Sequence, residues 1–251
     1  MRITPWLRVV GSRQFGLSSP FDCHMYTLRQ PGAGIVLIDA GSGMGQARVI
    51  ENLREEFDGE LDRGVILLTH RHPDHACGAA RLSQALRWPV VTSAWSRPVI
   101  ESGDAMGSGL VEAQLQGAYP PEMRMEPCSV ARAFDDGEYL SLEGWDLQPI
   151  RIRGHSDDSV AFLFTQNGRR CLIAGDIVFY GGVLGVINTP DSSLRAYRDD
   201  LPKLAGQGID ALLPGHGLFT LEGGQAHIDA ALREVSKGFV PRTIGQGDLI
   251  F

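Results

Sequence analysis

A layered α/β domain, with two sheets covered by helices, is the fold this 251-residue chain predicts. Three observations carry it. Short apolar runs bounded by Gly, Pro and Ser alternate with segments whose apolar residues recur at helical spacing. The order of these segments is strands, a βαβ stretch, an irregular insert, more strands, then βα again. The composition is globular, 43% hydrophobic and 21% charged, with enough apolar surface to offset chain entropy. No repeat, low-complexity tract or linker-like shift interrupts the chain, so a single domain over residues 1–251 is expected.

The elements follow in order. Trp6–Val10, Asp22–Arg29 and Gly34–Ala40 read as strands between turn residues. Arg48–Phe57 reads as a helix, because Val49, Ile50, Leu53 and Phe57 fall on one face. Gly64–Thr69 is a continuous apolar run, the pattern of a buried central strand. A helix over Ala76–Leu86 and a short strand over Pro89–Thr92 come next. In the insert, Ala94–Cys128, an amphipathic helix fits Asp104–Tyr119, weakened by two glycines and stopped by Pro120 and Pro121. The insert either caps a pocket or is a surface excursion. Its Met106, Met123 and Met125, with Leu110, Leu115 and Tyr119, make either an adaptable apolar wall or ordinary core. Strands are expected near Asp146–Arg153, Val160–Thr165, Arg170–Ala174 and Ala211–Leu213, with helices over Ser192–Ala205 and from about Gly224 to Ser236.

Charge and composition exclude several classes. The 23 basic and 30 acidic residues give a net charge of −7, with no dense Lys/Arg run, which disfavours nucleic acid and anionic membranes as partners. No apolar stretch approaches the ~18 residues of a membrane span. The first sixteen residues carry Arg2, Arg8 and Arg13 without an apolar segment, unlike a secretory signal. Cys23, Cys77, Cys128 and Cys171 stand far apart with no C-x-x-C pair, so free thiols and a cytoplasmic location are expected.

The chemistry concentrates at strand ends. His70-Arg71-His72-Pro73-Asp74-His75 reads H-x-H-x-D-H directly after the Gly64–Thr69 strand. Four ligand-type residues in six positions, at the carboxyl end of a buried strand, are placed to bind a borderline divalent ion through imidazole and carboxylate. Three further turns have the same form: Gly154-His155, Gly175-Asp176 and Gly215-His216, each next to an apolar strand. Four strand ends would then aim seven ligands at one place.

In the order and spacing of these motifs, from about Asp22 to His216, the chain resembles the metallo-β-lactamase fold superfamily. The resemblance implies a four-layer αββα sandwich with a binuclear metal site at one edge, between the two sheets. It implies that His70, His72 and His155 hold one ion, that Asp74, His75 and His216 hold the other, and that Asp176 bridges them. True β-lactamases of the superfamily carry Cys or Ser where Asp176 stands. The aspartate instead resembles the glyoxalase II, lactonase, arylsulfatase and RNase Z branches. Two departures stand out. Asp157-Asp158 occupies a place where Pro-Gly is frequent, and Cys77 one where a small residue is usual; a packed thiol is the expectation for Cys77.

The expected activity is hydrolysis of a small-molecule ester, thioester or lactone, with two divalent ions supplying the nucleophile from water. Zinc is expected, with iron or manganese as alternatives. Asp74 and Asp176 are the expected catalytic carboxylates. Tyr180, four residues after Asp176, either contacts substrate, as a tyrosine does in the lactonase branch, or packs. Asp157 and Asp158 are either hydrogen-bond partners of a ligand histidine or a solvated turn. His24 is either part of the site's rim or a buried structural residue, and His227 a surface or packing residue. Gly175–Gly182 resembles the glyoxalase II pattern G-D-x-x-F-x-G-G, but the G-C-G-R continuation is absent and only 35 residues follow His216. An alternative is a mononuclear iron oxidoreductase of the persulfide dioxygenase kind. The apolar end Leu249-Ile250-Phe251 suggests docking on its own domain or in a homodimer.

Overall fold

The apolar runs of the first half fold as a sheet whose inner strands are buried on both faces. The computed structural model describes residues 1–237 and 240–244, and the apolar end at 249–251 lies outside them. Within the described residues the chain separates into two compact units, Met1–Asp135 with Ser141–Trp145, and Asp136–Leu140 with the chain from Asp146 onward. No helix among these residues is long and apolar enough to cross a membrane.

The first unit is built on six strands in spatial order β1 to β6: β1 (Leu7–Gly11), β2 (Met25–Arg29), β3 (Ile35–Ile38), β4 (Gly64–Leu67), β5 (Val90–Ser93) and β6 (Val130–Phe134). β1, β2 and β3 pair antiparallel, whereas β3 to β6 run parallel. β3 and β4 are wholly buried, which is why their sequences IVLI and GVIL lack alternation. Parallel neighbours need crossovers, and helix α1 (Gln46–Glu56) supplies the first, burying Val49, Asn52 and Leu53.

The expected helix over Ala76–Leu86 is two helices, α2 (Pro73–Ala76) and α3 (Ala79–Leu86). The break has a packing cause. Gly78 donates its N–H to the Gly41 carbonyl (2.9 Å), and a Cβ at Gly78 would stand 2.0 Å from the Ala40 carbonyl oxygen. The Asp104–Tyr119 helix shrinks to α5 (Leu110–Leu115), because Gly109 before it takes a left-handed conformation at φ 80°. A short helix α4 (Arg97–Ser102) precedes it. The insert's methionines divide. Met123 and Met125 join the core with Leu37, Ile66 and Trp88, while Met106 is 74% exposed.

A second sheet, five-stranded in the order β11-β10-β9-β8-β7, is formed by β7 (Leu140–Leu142), β8 (Trp145–Arg151), β9 (Val160–Gln166), β10 (Arg169–Gly175) and β11 (Ala211–Pro214), and all of it but Ser141, Leu142 and Trp145 lies in the second unit. β9 and β10 form a hairpin over the two-residue turn Asn167-Gly168. β11 pairs parallel with β10, Ile173 opposite Leu213. The expected Ser192–Ala205 helix is α6 (Leu194–Asp200), capped by Ser193 Oγ accepting from Ala196 N (3.2 Å), followed by a 3₁₀ turn over Leu201–Leu204 that contains Pro202. Helix α7 (Gly224–Ser236) buries Ile228, Ala231 and Val235 into a core with Ile152, Leu163, Leu172, Tyr197 and Leu212. β6 and β7 are strands the sequence reading did not identify.

Candidate metal centre

In the first unit the chain leaves β4 through Leu68 and Thr69 and turns into α2, with His72 as the residue before its first turn and Pro73 at the first helical position. His70, His72 and His75 are buried, with the His70 ring 4.8 Å from that of His72 and 4.1 Å from that of His75. Three buried imidazoles this close need polar partners, because burying a polar group without one is costly. The structure provides them for His75 and His70. His75 Nδ1 lies 2.8 Å from Asp39 Oδ2. His70 Nδ1 lies 3.0 Å from Thr69 Oγ1, whose hydroxyl lies 2.9 Å from the same carboxylate oxygen. The Thr69 N–H also donates to Asp39 Oδ1 (2.8 Å).

Asp39 follows β3 directly and is held at φ 61°, its own N–H donating to the Leu67 carbonyl (2.9 Å). One carboxylate therefore organises two histidines. Since a carboxylate accepts and the Thr69 proton is given to it, both imidazoles donate from Nδ1 and carry their lone pair on Nε2. That tautomer is the one a metal ligand needs. Asp74 lies beside them, with Oδ2 3.5 Å from His75 Nε2.

In the second unit the parallel pairing of β10 and β11 brings their carboxyl ends together. Asp176 follows β10, His216 stands two residues beyond β11, and Gly215 N donates to the Gly175 carbonyl (2.8 Å). His216 Nε2 is 3.4 Å from Asp176 Oδ2, and His155 Nε2, from the turn after β8, is 3.7 Å from the same oxygen. His155 Nδ1 donates to the Gly185 carbonyl at 2.6 Å. All three residues are buried.

The donor set fits a divalent ion on two counts. It consists of imidazoles and carboxylates with ring protons committed at Nδ1 for His70, His75 and His155. The Nε2-to-carboxylate separations of 3.4–3.7 Å are also long for hydrogen bonds. They match two donors on one tetrahedral ion, which at bond lengths of about 2.0–2.1 Å stand about 3.4 Å apart. The structure thus gathers His70, His72, Asp74 and His75 in one unit, and His155, Asp176 and His216 in the other.

Other expected residues fare differently. Tyr180 opens a 3₁₀ turn (Tyr180–Gly182) and is 47% exposed, with its ring 4.1 Å from that of His227. His227 Nδ1 accepts from Gly181 N (3.0 Å), and burial lowers its pKa. It packs, as expected. Asp158 is buried and accepts from Ser156 Oγ (2.6 Å), while Asp157 is exposed. The His155 Nδ1 proton goes to a main-chain carbonyl instead. His24 is the buried structural residue, stacked on Phe15 with Nδ1 2.9 Å from Ser12 Oγ. Cys77 is a packed thiol whose pKa burial pushes up to about 12.

The insert touches the ligand loop. Arg71 Nε donates to the Gly107 carbonyl (2.7 Å), and a Cβ at Gly109 would lie 3.9 Å from His72 Cδ2. Asp39, the partner of His75 and Thr69, is a residue that sequence reasoning missed. Its signal was a carboxylate directly after an apolar strand, the same signal that marked Asp176.

Comparison with known proteins gives a consistent set of likenesses. The signature of a family described as "Metallo-beta-lactamase superfamily" matches residues 19–216. The chain is 29% identical over 225 residues to "Uncharacterized protein Rv2581c" of Mycobacterium tuberculosis, covering 86% of this chain and 95% of that one. It is 27% identical over 183 residues to "Hydroxyacylglutathione hydrolase GloC" of Haemophilus influenzae, covering 68% and 79%. Among solved structures, a metallo-β-lactamase of Cronobacter sakazakii superposes with a TM-score of 0.69 at 21% identity, covering 93% of this chain and 90% of that one. At that identity the likeness is one of fold, and it matches the two-sheet α/β architecture described above.

Proposed function

Because the chain belongs to the metallo-beta-lactamase superfamily, whose members are generally hydrolytic and metal-dependent, we propose that it is a binuclear metal-dependent hydrolase of a small-molecule ester, thioester or lactone. The observation that carries this reading is the pair of buried ligand clusters, whose donor separations suit metal coordination rather than hydrogen bonding. By the superfamily's pattern, His70, His72 and His155 would hold one ion and Asp74, His75 and His216 the second, with Asp176 as the ligand they would share.

When bound, the two ions lower the pKa of a water molecule towards ~7 and polarise the scissile carbonyl. The protein's own groups do the rest. Asp74 accepts a hydrogen bond from the attacking water and orients it. Asp176 would offset the positive charge of the bound ions with its carboxylate. Tyr180, half-exposed beside His227, is the residue we assign to the substrate carbonyl, to which its hydroxyl would donate. In the net reaction one C–O or C–S acyl bond breaks, the water oxygen bonds to the acyl carbon, and the leaving oxygen or sulfur takes up a proton. A small, uncharged or acidic-surface-tolerant substrate suits the net charge of −7 better than nucleic acid does. The likeness to a hydroxyacylglutathione hydrolase supports the acyl-transfer class, and an aspartate rather than cysteine at position 176 supports a substrate other than a β-lactam.

Metal content per chain, paired with a screen of ester, thioester, lactone and β-lactam substrates, tests this directly. About two zinc or mixed divalent ions per chain, with chelator-sensitive ester, thioester or lactone turnover, is the expected result. One iron per chain, with oxygen uptake on a persulfide, would replace the hydrolase by an oxidoreductase.

A further inference from the structure

Tyr197 on α6 is the only aromatic residue of that helix and is fully buried, yet it lies twenty residues or more in sequence from every proposed metal ligand except His216. Its hydroxyl donates to the Ile177 carbonyl (2.9 Å), with the Asp176 carbonyl at 3.3 Å, and accepts from Gly185 N (3.2 Å). The Gly185 carbonyl in turn accepts the His155 Nδ1 proton at 2.6 Å. The face of the same ring lies on Gly154, where a Cβ would stand 2.2 Å from Tyr197 Cδ2. Gly154 is the residue before His155, and its carbonyl accepts from Ser193 N and Ser192 Oγ, both at 2.8 Å.

The phenol thus meets the Gly154-His155 turn, the Asp176-Ile177 turn and Gly185. Gly185 has no room for a side chain between the other two, since a Cβ there would lie 1.8 Å from the Asp176 carbonyl oxygen and 2.9 Å from His155 Nδ1. Burying a tyrosine needs only the ring; satisfying the polar atoms around its hydroxyl needs the oxygen. Two of those atoms belong to Asp176 and to the residue that fixes the His155 ring.

We infer that Tyr197 is a positioning residue, whose hydroxyl sets His155 and Asp176 in register with each other for metal binding. The inference rests on the proposed metal-dependent function, and it assigns to the tyrosine hydroxyl a role that the ring alone does not fill. Tyr197 acts through the Gly185 and Asp176 main chains and touches no reacting atom.

The test is Tyr197→Phe, which keeps the ring. Zinc affinity is measured on the whole protein by competition with a chromophoric chelator, coordination by the visible absorption of the Co²⁺-loaded protein, and stability by thermal melting of the metal-free protein. Loss of an outer hydrogen-bond partner weakens metal binding by about 10–100-fold. The expected result is a zinc affinity lower by that factor and altered Co²⁺ bands, measured far below the melting temperature. A lower metal-free melting temperature with unchanged zinc affinity and Co²⁺ bands would show a merely structural role and overturn the inference. A wild-type chain that takes up no divalent ion, zinc, Co²⁺, iron or manganese, would overturn the proposed function and this inference together, whereas an unchanged Tyr197→Phe protein overturns the inference alone. Should Tyr197→Phe not fold, Ser192→Ala is read in the same way, since it loosens Gly154 from the His155 side of the same junction.

Discussion

Asp176→Asn is expected to lower turnover of a verified ester, thioester or lactone by at least about 10³-fold, or about 4 kcal/mol of transition-state stabilisation. The substitution keeps the volume of the side chain and removes its charge. Oδ2 of Asp176 faces His155 Nε2 at 3.7 Å and His216 Nε2 at 3.4 Å, in a buried setting. A carboxylate there can hold two cations at once and offset their repulsion. An amide offers one weakly basic oxygen, and its NH₂ group cannot ligate. The same loss is expected for His155→Ala, which removes a ligand from the other side of Asp176. Circular dichroism and metal analysis accompany the kinetics, so that a folded, metal-depleted and inactive protein is distinguished from an unfolded one. Near-normal turnover by a folded Asp176→Asn protein would sink the mechanism.

Asp39→Asn is the second large effect, and it separates ligand orientation from ligand identity. Zinc affinity should fall by about 10–100-fold, the usual cost of losing an outer-shell partner. The metal-free protein should lose about 1–3 kcal/mol of stability, the cost of one unsatisfied buried group. The two Asp39 oxygens accept from three donors, His75 Nδ1, Thr69 N and Thr69 Oγ1. An asparagine has one oxygen to offer. Either its NH₂ meets the Thr69 N–H, or it meets His75 Nδ1 and drives the ring proton to Nε2, the ligand atom. Asparagine tolerates the left-handed backbone at φ 61°, so conformational strain does not confuse the result. Chelator competition and urea unfolding of the metal-free protein give the two numbers separately. An unchanged zinc affinity would show that Asp39 serves the fold alone.

The strand-exit rule made most of the candidate site legible. His70, His72, Asp74 and His75 after β4, Asp176 after β10 and His216 after β11 all stand where a buried apolar run meets a polar turn. Asp39 obeys the same rule after β3, but without the glycine that precedes Asp176 the residue reads as the tail of the Gly34–Ala40 strand. The partner of His155 was harder. Asp157 and Asp158 were natural candidates by proximity in sequence, yet the acceptor is the Gly185 carbonyl, thirty residues on. A main-chain carbonyl has no sequence signature.

Buried strands are legible even at four residues, as β3, β4 and β11 are, while half-exposed elements are not. β6 sits at the edge of its sheet and buries only Val130 and Phe134, with Arg132 between them, so its five residues show little of the apolar pattern of β3 or β4. The Asp104–Tyr119 stretch has helical spacing, but the left-handed backbone at Gly109 limits the helix to Leu110–Leu115. Local pattern gives way there to a turn whose Gly107 carbonyl is held by Arg71.

The four buried cysteines give the chain a built-in set of chemical reporters. Cys23, Cys77 and Cys128 lie in the first unit and Cys171 in the second. Burial raises every one of these thiols, Cys128 and Cys171 to about 11, so little thiolate is present near neutral pH in the folded chain. Alkylation therefore waits for the surrounding structure to open. Intact mass after labelling records which unit has opened, with three additions from the first and one from the second. The unlabelled native protein can thus report the separate opening free energies of its two halves, with no introduced probe and no substrate in hand.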